Sequence, residues 1–85
     1  MFAIAIIKTF YKNQTEVAEA INFVIDSYWA DKIKEMEMID LIREIIKNNH
    51  SLAFKNGDFT TILKQRCGKR RLEISLNIWK DRGED

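Results

Sequence analysis

Five cations fall within eight consecutive positions, Lys64, Arg66, Lys69, Arg70 and Arg71, and no acidic residue interrupts them. Arginine forks bind phosphate oxygens in pairs, and a glycine such as Gly68 leaves backbone N–H groups approachable. A helix starting just after that glycine would aim its first amides at a docked anion. The segment has the makings of a phosphate-binding nest. It is not a nucleotide-hydrolysing loop, because Leu63 stands where that motif needs its earlier glycine and Arg70 stands where it needs a hydroxyl for magnesium. Contact with a nucleic-acid backbone is the leading function this implies, with Thr60 and Thr61 adding hydroxyl contacts. Five cations engage at most about four or five phosphates, so the expected affinity is modest and needs a dimer or another contact to become specific. The competing reading is an ordinary solvated surface, since Lys64 and Arg66 near a helix end also offset its dipole.

Catalytic constellations are weaker. Cys67 lies between Arg66 and Lys69, neighbours that would lower a thiol's pKa and sharpen its nucleophilicity. The only histidine that could serve as its base, His50, is 17 residues earlier in an irregular stretch. Cys67 also follows Leu63 by four positions, which puts both on one helical face and favours packing. His50 itself reads as a polar residue after a helix, favourable near the negative end of that helix when protonated. The carboxylate pairs Glu35 with Glu37 and Asp40 with Glu44 lie on an amphipathic helix with no cleft to raise either pKa. No enzymatic activity is expected. One Cys and one His cannot complete a zinc site or an internal disulfide, so no metal and no cofactor are expected either.

The chain that must position these residues has 85 positions, 46% hydrophobic and 32% charged, with a net charge of +1. That balance excludes intrinsic disorder and suits one compact domain over residues 1–85. Charge is unevenly placed: residues 1–54 carry six basic and eight acidic side chains, residues 55–85 eight basic and five acidic. The apolar run Phe2 to Ile7 is far short of the roughly 20 residues a membrane span needs, so no membrane association is expected. The lone thiol suits a reduced, cytoplasmic setting. A domain of this size buries only about 60–65% of its extended surface, which makes self-association a cheap source of extra stability and a homo-oligomer an expectation.

Periodicity supplies the elements. Asn13 with Glu16 has the spacing of a capping box, and Val17, Ala20, Ile21, Val24 and Tyr28 then recur at steps of three and four, widened by Ala18, Ile25 and Trp29. This predicts a helix over about 14–30. Phe23 projects away from that stripe and is expected to be wet, which with Trp79 makes it a candidate partner interface. A second helix is predicted over about 34–49, with Met38, Ile39, Leu41, Ile42, Ile45 and Ile46 inward and Asn48 and Asn49 ending it. The pattern then lapses into an extended stretch holding Leu52 and Phe54, closed by a turn at Asn56 and Gly57. Asp58 is expected to cap a third helix ending at Gly68, with Phe59, Ile62, Leu63 and Cys67 inward. Residues 72–79 are ambiguous: Leu72, Ile74, Leu76 and Ile78 alternate as in a strand, whereas Leu72, Leu76 and Trp79 align as in a helix with Ile74 and Ile78 on the far side, so the pattern alone favours the strand.

The stretch Gly57 to Leu72 (GDFTTILKQRCGKRRL), with Tyr11 to Ile21 and Tyr28–Trp29 upstream, resembles a family of short bacterial proteins of about 80 residues and unassigned function. The likeness covers roughly residues 9–78. It implies no activity, cofactor or site residue, but its members are mostly helical after the GKRRL segment, and this sets the strand second. The expected fold is therefore all-α, a small bundle of about four helices near 14–30, 34–49, 58–67 and 70–81 around Ile21, Val24, Ile42, Ile45, Leu63 and Leu72. Residues 1–10 are expected to be extended or frayed and 82–85 a flexible tail. The alternative is an α+β fold with a two-stranded sheet from 2–7 and 72–79. The expected function is a cytosolic nucleic-acid-binding or regulatory module acting through the basic cluster. The alternative is a homo-oligomeric or partner-binding module with no nucleic-acid role.

Overall fold

The computed structural model describes residues 11–83, with side chains through residue 80, so the expectations for 1–10, for the strand at 2–7 and for the far C-terminal residues lie outside it. Among these residues, four helices and a minimal hairpin follow in the order α1 (Gln14–Trp29), α2 (Glu35–Asn48), α3 (His50–Ala53), β1 (Phe54–Lys55), β2 (Asp58–Phe59) and α4 (Thr61–Gly83). The protein is mainly α-helical, as the sequence predicts.

α1 begins at Asn13, whose Oδ1 accepts from the Glu16 amide at 2.9 Å; the Glu16 carboxylate in turn accepts from the amide of Lys12, one residue before the cap. The helix ends in a Schellman arrangement, with Lys32 N–H donating to Ser27 O (2.8 Å) and Asp31 N–H to Tyr28 O (3.0 Å). Asp31 occupies the left-handed position of that motif at φ +65°, where glycine is the usual residue. α2 turns Met38, Ile42, Ile45 and Ile46 inward. At its end the buried Asn49 donates from Nδ2 to Ile45 O (2.8 Å) and accepts from the Tyr11 amide through Oδ1 (2.9 Å), fastening the entry of α1 to the exit of α2.

The predicted turn closes a two-stranded antiparallel hairpin with Phe54 opposite Phe59 and Lys55 opposite Asp58. Its two loop residues, Asn56 (φ +56°) and Gly57 (φ +82°), adopt the paired positive φ values that such tight hairpins require. The sheet found among the described residues is thus local, and 72–79, being helical, supplies no strand to the alternative pairing with 2–7. Asp58 does not cap the next helix: it sits in β2, and Thr60 takes the role, its Oγ1 accepting from the Leu63 amide at 3.4 Å.

Residues 72–79 are helical. Leu72, Ser75 and Ile78, three positions apart, are the residues of this stretch that go into the core, while Ile74, Leu76 and Trp79 are half-buried on its flanks. Apolar residues wrap around the helix, so every second position is apolar without any strand, and a serine at the inward position hides the helical period. All six residues expected in the core are buried, and Val17, Ala18, Ile25, Ile46 and Ala53 join them.

Candidate functional site

Gly68 divides α4. Its backbone (φ +83°, ψ 168°) lies in a region that only glycine occupies without strain, so a helical arm 61–67 ends there and a second arm, 69–83, leaves in a new direction. The first arm is seated through Leu63 and Cys67, both buried. The Cys67 thiol donates to Ala18 O of α1 across 3.6 Å. Burial pushes that thiol up to about 11, and the nearby Arg71 charge offsets only part of the shift. Cys67 thus packs in the core, as its spacing from Leu63 suggests, and the lowering that Arg66 and Lys69 would bring does not arise: both cations are exposed, and the sulfur faces a backbone carbonyl.

The break separates the five cations into two kinds. Lys64 Nζ pairs with Asp58 Oδ2 at 2.7 Å, and this bond, aided by the Phe59 amide, holds the Asp58 carboxyl below its usual range. Arg71 is a strut: Nε and Nη2 donate to Asp26 Oδ1 of α1 at 3.0 and 2.8 Å, and Nη1 donates to Cys67 O at 3.0 Å, tying off the last turn of the first arm. Arg66, Lys69 and Arg70 are exposed, and they enter neither of the two ion pairs found among the described residues. Arg66 contributes its carbonyl to the fold, accepting from Asn22 Nδ2 at 3.0 Å. Thr61 is exposed. Thr60 is buried and its hydroxyl is committed to the helix cap, so the contact expected of it does not arise.

Beside the break lies an aromatic residue that periodicity assigned to the core. Trp29, at the end of α1, is 43% exposed, with the guanidinium carbons of Arg70 and Arg71 at 5.3 and 5.5 Å from its ring centroid. That is within reach of a cation–π interaction. Sequence reasoning missed Trp29, Asp26 and Asn22 as members of this surface. Their spacing on α1, four and then three residues, is the signal that could have found them.

Of the two aromatics assigned to a partner surface, Phe23 is 46% exposed on α1. Trp79 is half-buried elsewhere, with its ring tilted 45° to His50 at 5.9 Å. His50 also meets Phe54 at 4.9 Å, and Phe54 stacks on Phe59 at 4.6 Å. His50, Phe54 and Trp79, with Asn56, Gly57 and Leu76, line a cleft of about 320 Å³. A second groove, lined in part by Asp58, Lys64, Lys69, Glu73 and Leu76, shares the Leu76 side chain with the first.

Among the described residues no helix is long and apolar enough to cross a membrane. A family model described as a conserved hypothetical protein matches residues 8–80. No curated protein and no solved structure matches.

Proposed function

The chain belongs to that family of conserved hypothetical proteins, and we propose that it is a small non-catalytic module that binds nucleic acid through the surface around the Gly68 break. The observation that carries the reading is the set Arg66, Lys69 and Arg70, three exposed cations outside the two ion pairs found among the described residues, with Arg70 5.3 Å from the ring centroid of the half-exposed Trp29. Cations supply attraction to the phosphate backbone, and an exposed indole supplies a face on which a base stacks. Lys64 and Arg71 are left out of the contact set because Asp58 and Asp26 already neutralise them. The protein acts in the cytoplasm, in keeping with its single, buried thiol.

Three phosphate contacts correspond to a slope of about −2 to −3 in a plot of log affinity against log salt. Titration of labelled oligonucleotides at several salt concentrations tests this. The double variant Lys69→Glu with Arg70→Glu is expected to abolish most binding and flatten the slope; wild-type protein with no affinity at low salt refutes the reading. A second reading, a partner-binding or self-associating module, draws on Phe23 and on Met36, which is 69% exposed. Sedimentation as a strict monomer at high concentration removes its self-associating form.

A further inference from the structure

We infer that the cleft between α3, the hairpin turn and the second arm of α4 receives a nucleobase, which makes the ligand single-stranded DNA or RNA and not duplex. The inference rests on the reading above and names the ligand class it leaves open.

The cleft has planar walls, since His50, Phe54 and Trp79 all line it and Phe54 is braced from behind by its stack on Phe59. Every base presents a π-face, and stacking on aromatic side chains is the sequence-tolerant way in which proteins hold single strands. Asn56 adds one amide, both donor and acceptor, to meet the edge of a base. The mouth beside Gly57 is open, since a Cβ at that position would meet nothing within 4 Å. At about 320 Å³ the space is at the small end for ligand sites, suited to one ring system and not to a large cofactor.

What marks the occupant as a nucleotide and not an apolar peptide side chain is the neighbouring charge. Leu76 belongs to both the aromatic cleft and the groove that holds Lys64 and Lys69 together with Asp58, which pairs with Lys64, and Glu73, so the two form one path along the second arm whose remaining cations are Lys69 and the adjacent Arg70. Lys69 and Trp79 are ten positions apart on that path, about 15 Å along the helix. A chain whose phosphates sit at Lys69 and Arg70 thus runs toward the rings within a few nucleotides. A base locked in a duplex is stacked on its neighbours and cannot enter; an unpaired one can.

The two tryptophans make the test direct, because each reports one end of the path. In a Trp29→Phe variant, Trp79 is the remaining indole, and its fluorescence is followed during titration with oligo-dT, oligo-U and a duplex of equal length. In parallel, the anisotropy of labelled oligonucleotides reports total binding to the wild type. Both single strands are expected to quench Trp79 and the duplex to leave it unchanged. Trp79→Leu is expected to weaken single-strand binding about tenfold with the salt slope retained, and the exposed His50→Ala to weaken it by a smaller factor. His50→Ala also keeps the test open should Trp79→Leu fail to fold. Single strands that bind by anisotropy without quenching Trp79, and with unchanged affinity in His50→Ala, overturn the cleft inference and leave the basic surface standing. Absence of binding to any of the three polymers overturns both.

Discussion

α2 and α4 both pack against α1, and they do so by different chemistry. α2 brings only Met38, Ile42, Ile45 and Ile46 into the core. α4 brings Leu63, Cys67, Leu72 and Ile78, but also a fully buried serine, and it reaches α1 through Asn22 to Arg66 O, Cys67 to Ala18 O and Asp26 to Arg71. Apolar contact stabilises without fixing direction. Hydrogen bonds and ion pairs are directional, and they cluster around the Gly68 break, where they hold the two arms of α4 at one angle. The difference assigns stability to the α2 side and geometry to the α4 side.

Ile42→Ala attacks the first assignment and should have the largest effect, a loss of about 2–5 kcal/mol in denaturant unfolding, because Ile42 is fully buried. A loss under 1 kcal/mol would break the contrast. Gly68→Ala tests the second. No atom obstructs the new methyl, so the expected cost of about 1–3 kcal/mol is backbone strain alone. The Cys67 thiol gives a pH signature of the same seam: its folded pKa is raised to about 11, above the ordinary value near 8.5. Stability should be unaffected below pH 8.5 and fall as pH climbs toward 11, since the unfolded chain gives up that proton first. Unfolding at a series of alkaline pH values, repeated with Cys67→Ala, isolates this contribution.

Ser75 sharpens the comparison in the opposite sense. Its hydroxyl is buried with no hydrogen-bond partner among the described residues, an uncompensated desolvation. Ser75→Ala should therefore gain about 1 kcal/mol, read as a rise of several degrees in the melting temperature. Asp26→Ala is the mildest change. The Asp26–Arg71 pair is half-exposed, so the cost should be only about 0.2–1 kcal/mol. It also frees Arg71 for an anion, and the salt dependence of oligonucleotide binding should steepen by just under one unit.

The legibility of the sequence follows the same division. Where burial alone decides, as in the first two helices and the core around Ile21, Ile42 and Leu63, the three- and four-residue recurrence carries the information. The Asn56–Gly57 turn was legible because its two positive φ values demand those residues. Residues 72–79 misled by alternation because Ser75 occupies an inward position that the pattern needs to be apolar. The site was legible as a cluster of charge but not as a surface. Which cations stay free depends on Asp58 and Asp26, and Asp26 lies 45 positions from its partner Arg71. Trp29 looked like core because its spacing fits the stripe, whereas its place at the very end of α1 leaves it at the rim.

That separation along the chain also bears on the order of assembly. α1 and α2 are joined by five residues, while the bonds from α1 to α4 connect positions 44 to 49 apart. Closing a short loop costs less entropy than closing a long one, so the first two helices should find each other early and α4 should dock onto a surface already formed. Substitutions at Asn22 or Asp26 would then speed unfolding and leave the refolding rate nearly unchanged.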